Sequence, residues 1–269
     1  MSDKIALIGF GEAASAFACE AGWSNHACAF DTNPVRRDAM AQASVNSSNS
    51  AQEVLQSANT VLSLVTADQA LKAAQTYATL VEKGALWIDM NSISPATKRE
   101  AAMVIEKHGA RYVDAAILAP VHPAKREVPI LLAGAAAEEA KAELEMLGFS
   151  NTRIVGNDIG RASAIKMIRS VMVKGLEALT DEMMAAADAA GVVDEVLASL
   201  DVSDKSENWR VKAAYNLERM TTHGERRAAE MEEVAKTLRV LGVEPVMTEG
   251  TVKRQRDAAV RPGEKRNAA

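Results

Sequence analysis

Aromatic residues make up only 4% of this 269-residue sequence although 48% of it is apolar, so the apolar content rests on Ala, Val, Leu and Met. That balance disfavours an all-β sandwich and suits packed helices, in an α/β or an all-α fold. Cysteine is scarce as well: Cys19 and Cys28 are the two present, too few for a disulfide framework and expected as small core residues. No apolar run approaches the roughly 18 residues of a membrane span, and the opening MSDKIALIGFG has neither the apolar core nor the cleavage site of a secretory leader. A soluble, cytoplasmic protein without a membrane partner is expected. The formal net charge is -5, which argues against a protein that grips nucleic acid through a broad basic face. No His, Cys and carboxylate set has metal-ligand spacing, and no serine sits in a nucleophile elbow, so no metal is expected.

What the chain does have is alternation. Residues 4–8, 26–30, 60–65, 86–90, 111–116 and 130–133 read as short apolar strands, and segments of helical period separate most of them, among them 12–22, 67–82, 95–108 and 137–147. Strands divided by helices of this length predict a doubly wound parallel sheet over residues 1–156. Beyond Gly156 no strand is expected, because 159–190, 192–201, 208–222 and 226–241 all carry helix formers at helical spacing. The fold class is therefore α/β, with an all-α second domain over 157–252 and a flexible basic tail over 253–269 that gathers Lys253, Arg254, Arg256, Arg261, Lys265 and Arg266.

The first strand runs into Gly9-Phe10-Gly11-Glu12-Ala13-Ala14. A dinucleotide site needs a tight turn here, then a residue without a side chain where backbone meets pyrophosphate, then a small residue where the helix packs on the sheet, and Gly9, Gly11 and Ala14 supply these in order. The unpaired amides and positive dipole of the helix start can receive the phosphates. Glu12 is out of place there unless it points to solvent. Asp31, followed by Thr32, closes the second strand about 20 residues beyond Gly11, where a carboxylate accepts hydrogen bonds from the adenosine ribose. It repels a 2′-phosphate and favours NAD over NADP, while the nearby Arg36 and Arg37 leave NADP open.

With these residues, the chain resembles the β-hydroxyacid dehydrogenase superfamily of 6-phosphogluconate and 3-hydroxyisobutyrate dehydrogenases, as a divergent branch with a short helical C-terminal domain. GFGEAASAFA is similar to the family's cofactor turn, Val65-Thr66-Ala67 to a loop beside the cofactor, and Asp89-Met90-Asn91-Ser92-Ile93-Ser94-Pro95 to the segment near the nicotinamide. The stretch GRASAIK, from Gly160 to Lys166, resembles its glycine-to-lysine element at the start of the interdomain helix, which implies Lys166 as the catalytic lysine. Three departures stand out. Where the family carries Asp-x-Pro-Val-Ser-Gly-Gly, this chain has Asp114-Ala115-Ala116-Ile117-Leu118-Ala119-Pro120, so Leu118 replaces the serine that binds substrate. Ser170, beside Arg169, replaces an asparagine, and the stretch from His223 to Met231, HGERRAAEM, stands where a Lys-Asp pair is usual.

The expected activity is hydride transfer between NAD and a small hydroxylated, carboxylated metabolite, with Lys166 as general acid and base and Ser170 one turn later on the same face. Ser92, Leu118, His122 and Arg169 are the expected substrate contacts. His122 is a candidate because it follows a strand, where α/β proteins bind ligands; an exposed loop histidine is the plainer reading. Tyr215, Arg219 and His223 share a helical face suited to a partner or an anion, or to plain solvent exposure. Two alternatives stay open: an NAD-binding regulatory protein without turnover, and an imine reductase-like enzyme. The helical domain is expected to pair with a second copy in a homodimer.

Overall fold

A computed structural model describes residues 4–23, 26–56, 58–203 and 209–260. The backbone divides into two compact units, residues 1–169 and 170–269.

The first unit is built on an eight-stranded sheet in the order β3-β2-β1-β4-β5-β6-β7-β8. Its strands are β1 (Ile5–Ile8), β2 (Ala27–Phe30), β3 (Asn46–Ser47), β4 (Thr60–Ser63), β5 (Leu86–Asp89), β6 (Arg111–Ile117), β7 (Ile130–Ala133) and β8 (Thr152–Gly156). The helices between them are α1 (Glu12–Ala18), α2 (Arg36–Gln42), α3 (Ala51–Leu55), α4 (Ala70–Tyr77), α5 (Pro95–Lys107) and α6 (Ala137–Met146). Strands β1, β4 and β5 are buried at every position, which is why they read as unbroken apolar runs rather than alternating ones. From β1 the chain winds outward through β2 and β3, then returns to place β4 on the other side of β1. That reversal is the topological switch point, where open α/β sheets form their ligand crevice.

The sheet is not wholly parallel, because β7 runs antiparallel to β6. The connection over residues 118–129 holds only a single 3-10 turn, Lys125–Glu127, and without a crossover helix the chain returns beside the strand it has just left. Strand β8 falls beyond the six strands read from sequence. Its residues TRIVG are half-exposed at the sheet edge and lack the apolar signature of the central strands.

Helix α7 (Arg161–Ala190) starts in the first unit and continues into the second, which adds α8 (Val193–Ser203), α9 (Trp209–Val240) and α10 (Val246–Ala259). Two expectations need correction here. Residues 223–225 do not separate two helices, since α9 runs through them. A Cβ on Gly224 would lie 2.3 Å from the Gln255 carbonyl oxygen, so this glycine permits close approach of α10 rather than ending α9. The expected tail over 253–269 is helical as far as Ala259, with Lys253 bonded to Asp257 at 2.8 Å one turn on. Arg261, Lys265 and Arg266 lie outside the described residues, as does the side chain of Arg226. Glu182 on α7 fastens the start of α10 by accepting the N–H of Met247 at 2.7 Å and the N–H and hydroxyl of Thr248 at 3.0 and 2.6 Å. On α9, Arg219 bonds the Tyr215 hydroxyl at 2.8 Å. Among the described residues no helix is long and apolar enough to cross a membrane.

Candidate active site

A cleft of about 810 Å³ opens at the carboxyl ends of the central strands, lined from Ile8 and Gly9 at one side to Ser92, Val121 and Lys166 at the other. Gly9 ends β1 at φ +89, and a Cβ there would sit 2.6 Å from the Leu64 carbonyl oxygen, so the turn is closed to any other residue. Gly11 differs. It caps α1 at φ -82, and a Cβ built on it meets nothing within 4 Å, so the missing side chain leaves room at the mouth of the helix for a ligand rather than for protein. Ala13 lines the cleft and Ala14 is fully buried where α1 meets the core. Phe10 contributes only its backbone, because its ring is wholly buried in the core. Glu12 is exposed on the first turn of α1 and borders the cleft.

Asp31 lies at the end of β2 with one carboxylate oxygen accepting the N–H of Phe10 and the other that of Asn33, each at 2.7 Å. Both oxygens keep lone pairs for further donors. Thr32, Asn33 and Arg36 line the cleft beside it, whereas Arg37 does not. Phe30 and Tyr77 form an edge-to-face wall with centroids 6.0 Å apart, and burial together with the Asp31 charge pushes the Tyr77 phenol up from its ordinary pKa. These features fit a dinucleotide: open space at Gly11, unpaired amides at the start of α1, and a carboxylate at the end of β2.

At the other end, Val65 and Thr66 follow β4, and Asn91 and Ser92 follow β5, all lining the cleft. Asn91 is held by its amide, whose nitrogen donates to Ser63 Oγ at 2.9 Å and Asp89 Oδ1 at 2.7 Å. Its buried Oδ1 has no protein donor. Ser94 then accepts the N–H of Thr97 at 3.2 Å and, with Pro95 at the first helical position, starts α5. Lys166, half-buried on the second turn of α7, donates to Ser92 Oγ inside the cleft.

The remaining expected residues are not brought into the cleft wall. The half-buried Leu118 side chain packs toward Ala116, Leu131, Ala133 and Ala162, where it removes apolar surface from water. Its carbonyl accepts from Arg169 Nη1 at 3.1 Å. His122 is exposed and does not line the cleft. Ser170 follows Lys166 by four residues on α7 and opens the second unit.

One group of residues escaped the sequence reading. Lys98, on α5, is completely buried between Asp89 and Asp114, with Nζ 3.0 Å from Asp89 Oδ1 and 3.4 Å from Asp114 Oδ1. Asp89 also accepts the Tyr112 hydroxyl at 2.5 Å, and burial followed by the Asp89 charge holds that phenol well above its usual range. A signal existed: Lys98, Ala101, Ala102 and Ile105 form the buried stripe of α5, and a lysine on an apolar stripe calls for a buried counter-charge.

Residues 4–155 match the family model described as the NAD binding domain of 6-phosphogluconate dehydrogenase, and residues 187–258 match a domain of unknown function, DUF1932. A conserved hypothetical protein of Sinorhizobium meliloti of known structure is 35% identical, the alignment covering 100% of this chain and 92% of that one with a TM-score of 0.64. Human mitochondrial 3-hydroxyisobutyrate dehydrogenase is 31% identical over 94 residues, which cover 35% of this chain and 28% of that protein. An imine reductase of Streptomyces aurantiacus shares the fold at a TM-score of 0.77 and 18% identity, over 96% of this chain and 95% of that one.

Proposed function

The chain belongs to the family of the NAD-binding domain of 6-phosphogluconate dehydrogenase, and from that premise we propose that it is an NAD-dependent dehydrogenase of a small hydroxylated, carboxylated metabolite with Lys166 as its proton-transfer group. The observation that carries the reading is the Lys166–Ser92 hydrogen bond, made within the cleft that the Gly9–Gly11 turn and Asp31 also line. The amides at the start of α1 would hold the pyrophosphate and Asp31 the adenosine ribose, which favours NAD over NADP; Arg36 in the same wall is the feature that favours the phosphorylated form. The nicotinamide, when bound, accepts or supplies the hydride. In the oxidation direction a neutral Lys166 amine takes the hydroxyl proton as the carbinol carbon loses its hydride, and in reduction the ammonium returns a proton to the carbonyl oxygen. Ser92 orients the lysine and offers its own hydroxyl to the substrate oxygen. Ser170, one turn along α7, is the second candidate for the proton path.

The test is a screen of hydroxyacids and related alcohols with NAD and NADP, followed by absorbance of the reduced cofactor, with Lys166→Ala assayed beside the wild type for turnover and for cofactor binding. Turnover lost in a variant that still binds NAD supports the reading. Turnover retained in that variant overturns it.

A second reading, a regulatory protein that binds NAD without turnover, draws on Leu118, whose half-buried side chain packs against Ala116, Leu131, Ala133 and Ala162 where the resemblance puts a substrate-binding serine. NAD binding without turnover on any tested substrate in either direction would favour it. We also propose a homodimer, because α7 exposes Ile168, Met172, Leu176 and Leu179 at helical spacing. A monomer by analytical ultracentrifugation would overturn that.

A further inference from the structure

Burying a lysine among apolar neighbours is costly, and replacing a buried ion pair by apolar residues is often neutral or stabilising. Lys98 lies on the apolar stripe of α5 with no exposed surface at all, where Leu or Met would serve for packing. What an apolar side chain lacks there is a connection between two carboxylates that lead to opposite halves of one pair. Asp89 accepts the N–H of Asn91 at 2.9 Å and its side-chain amide at 2.7 Å, which sets the backbone immediately before Ser92. Asp114 accepts the N–H of Gly160 at 3.1 Å and the N–H and hydroxyl of Ser163 at 3.0 and 3.1 Å, which sets the first turn of α7, one turn before Lys166. Between them, Lys98 Nζ also donates to the carbonyl oxygens of Asp89 at 2.5 Å and Ala115 at 3.3 Å. One cation thus faces two carboxylates, and the excess negative charge at Asp114 is met by the positive end of a 30-residue helix. At Gly160, φ +99 and a Cβ that would lie 2.6 Å from Arg99 leave the entry to that helix little freedom.

We infer that Lys98, acting through Asp89 and Asp114, is a positioning residue that holds Lys166 within hydrogen-bond reach of Ser92. Its importance for catalysis rests on the reading of Lys166 as the proton-transfer group; the positioning itself does not. A reacting group displaced by about 1 Å commonly loses a hundredfold in rate, so a rigid tie between the β5 loop and the start of α7 has a use that packing alone does not.

The experiment reads Lys166 directly, without substrate. The full chain is acetylated with a limiting amine-reactive ester at several pH values, and the labelling rate of Lys166 is followed by peptide mass spectrometry in the wild type, Ser92→Ala, Lys98→Met, Asp114→Asn and Ser163→Ala. A lysine that loses its hydrogen bond to Ser92 presents its amine more readily to the ester. Lys98→Met and Asp114→Asn are expected to raise its rate by roughly threefold to tenfold, with little further gain when either is combined with Ser92→Ala, since both act on the same pair. Ser163→Ala, which removes one hydroxyl and keeps every charge, is expected to give a smaller rise, and it keeps the test alive should Lys98→Met fail to fold. Wild-type labelling in folded Asp114→Asn and Ser163→Ala would overturn the inference. So would an equal rise in Leu144→Ala, a core cavity on α6 that loosens the fold without touching the cluster. Turnover retained in Lys166→Ala would remove the catalytic role while leaving the labelling result intact, so the two ideas fail separately.

Discussion

Asp31 Oδ2 accepts the backbone N–H of Phe10 at 2.7 Å, so the carboxylate that ends β2 holds the turn that follows β1. The residue proposed to meet a ribose is therefore also a strut of the turn after β1. Asp31→Ala is expected to weaken NAD binding by about tenfold to a hundredfold, the loss of roughly 1.5–3 kcal/mol of charged hydrogen bonding. Titration calorimetry checks it, and unchanged affinity would show that neither role matters.

The two glycines of the same turn are expected to separate stability from binding. Gly9→Ala forces a Cβ against the Leu64 carbonyl at positive φ and should cost roughly 1–3 kcal/mol of stability. Gly11→Ala adds a methyl to open space, so unfolding should change by no more than about 1 kcal/mol while NAD affinity falls. Thermal melts with and without NAD distinguish the two, and a Gly11→Ala protein that binds NAD normally would remove the phosphate from that position.

Within the second unit, burial raises the Glu182 pKa, but hydrogen bonds from the Thr248 hydroxyl and from the amides of Met247, Thr248 and Val246 outweigh it, and the net shift is downward from 4.5. A depressed folded-state value means that the stabilisation is fully present above the unfolded value and is lost as pH falls through the folded one. Glu182→Gln should be less stable than the wild type near neutrality, with the gap closing below pH 4.5. Denaturant titrations at a series of pH values test this, and a gap that stays constant into acid would refute it.

Helix glycines usually cost stability, and Gly175→Ala on α7, where a Cβ meets nothing within 4 Å, should gain about 0.5–1 kcal/mol. Gly224→Ala is expected to do the reverse, because its Cβ would fall 2.3 Å from the Gln255 carbonyl and 3.0 Å from Ala259. Opposite signs in paired chemical melts are the expected result.

Much of the first unit was legible in the amino-acid order, because buried parallel strands leave unbroken apolar runs and each dinucleotide-turn residue has its own steric reason. The misses share a different cause. β8 and the antiparallel turn of β7 depend on which strands happen to lie alongside, and α9 continues through Gly224 because α10 passes there. Leu118 stands where the resemblance puts a substrate-binding serine, and its half-buried side chain packs toward neighbours on β7 and α7, which no local pattern around it names.

Local pattern by itself therefore determined the α/β class, the Gly9-Gly11-Ala14 turn, Asp31 at the end of its strand and Lys166 early on a long helix. These follow from the steric and hydrogen-bond demands of a few neighbouring residues. Tertiary structure decided that Ser92 meets Lys166, that Asp31 holds Phe10, and that Lys98 lies between Asp89 and Asp114. Those pairings join residues from separate strands and helices, and a buried charge finds its partner only once the sheet has brought the strand ends together.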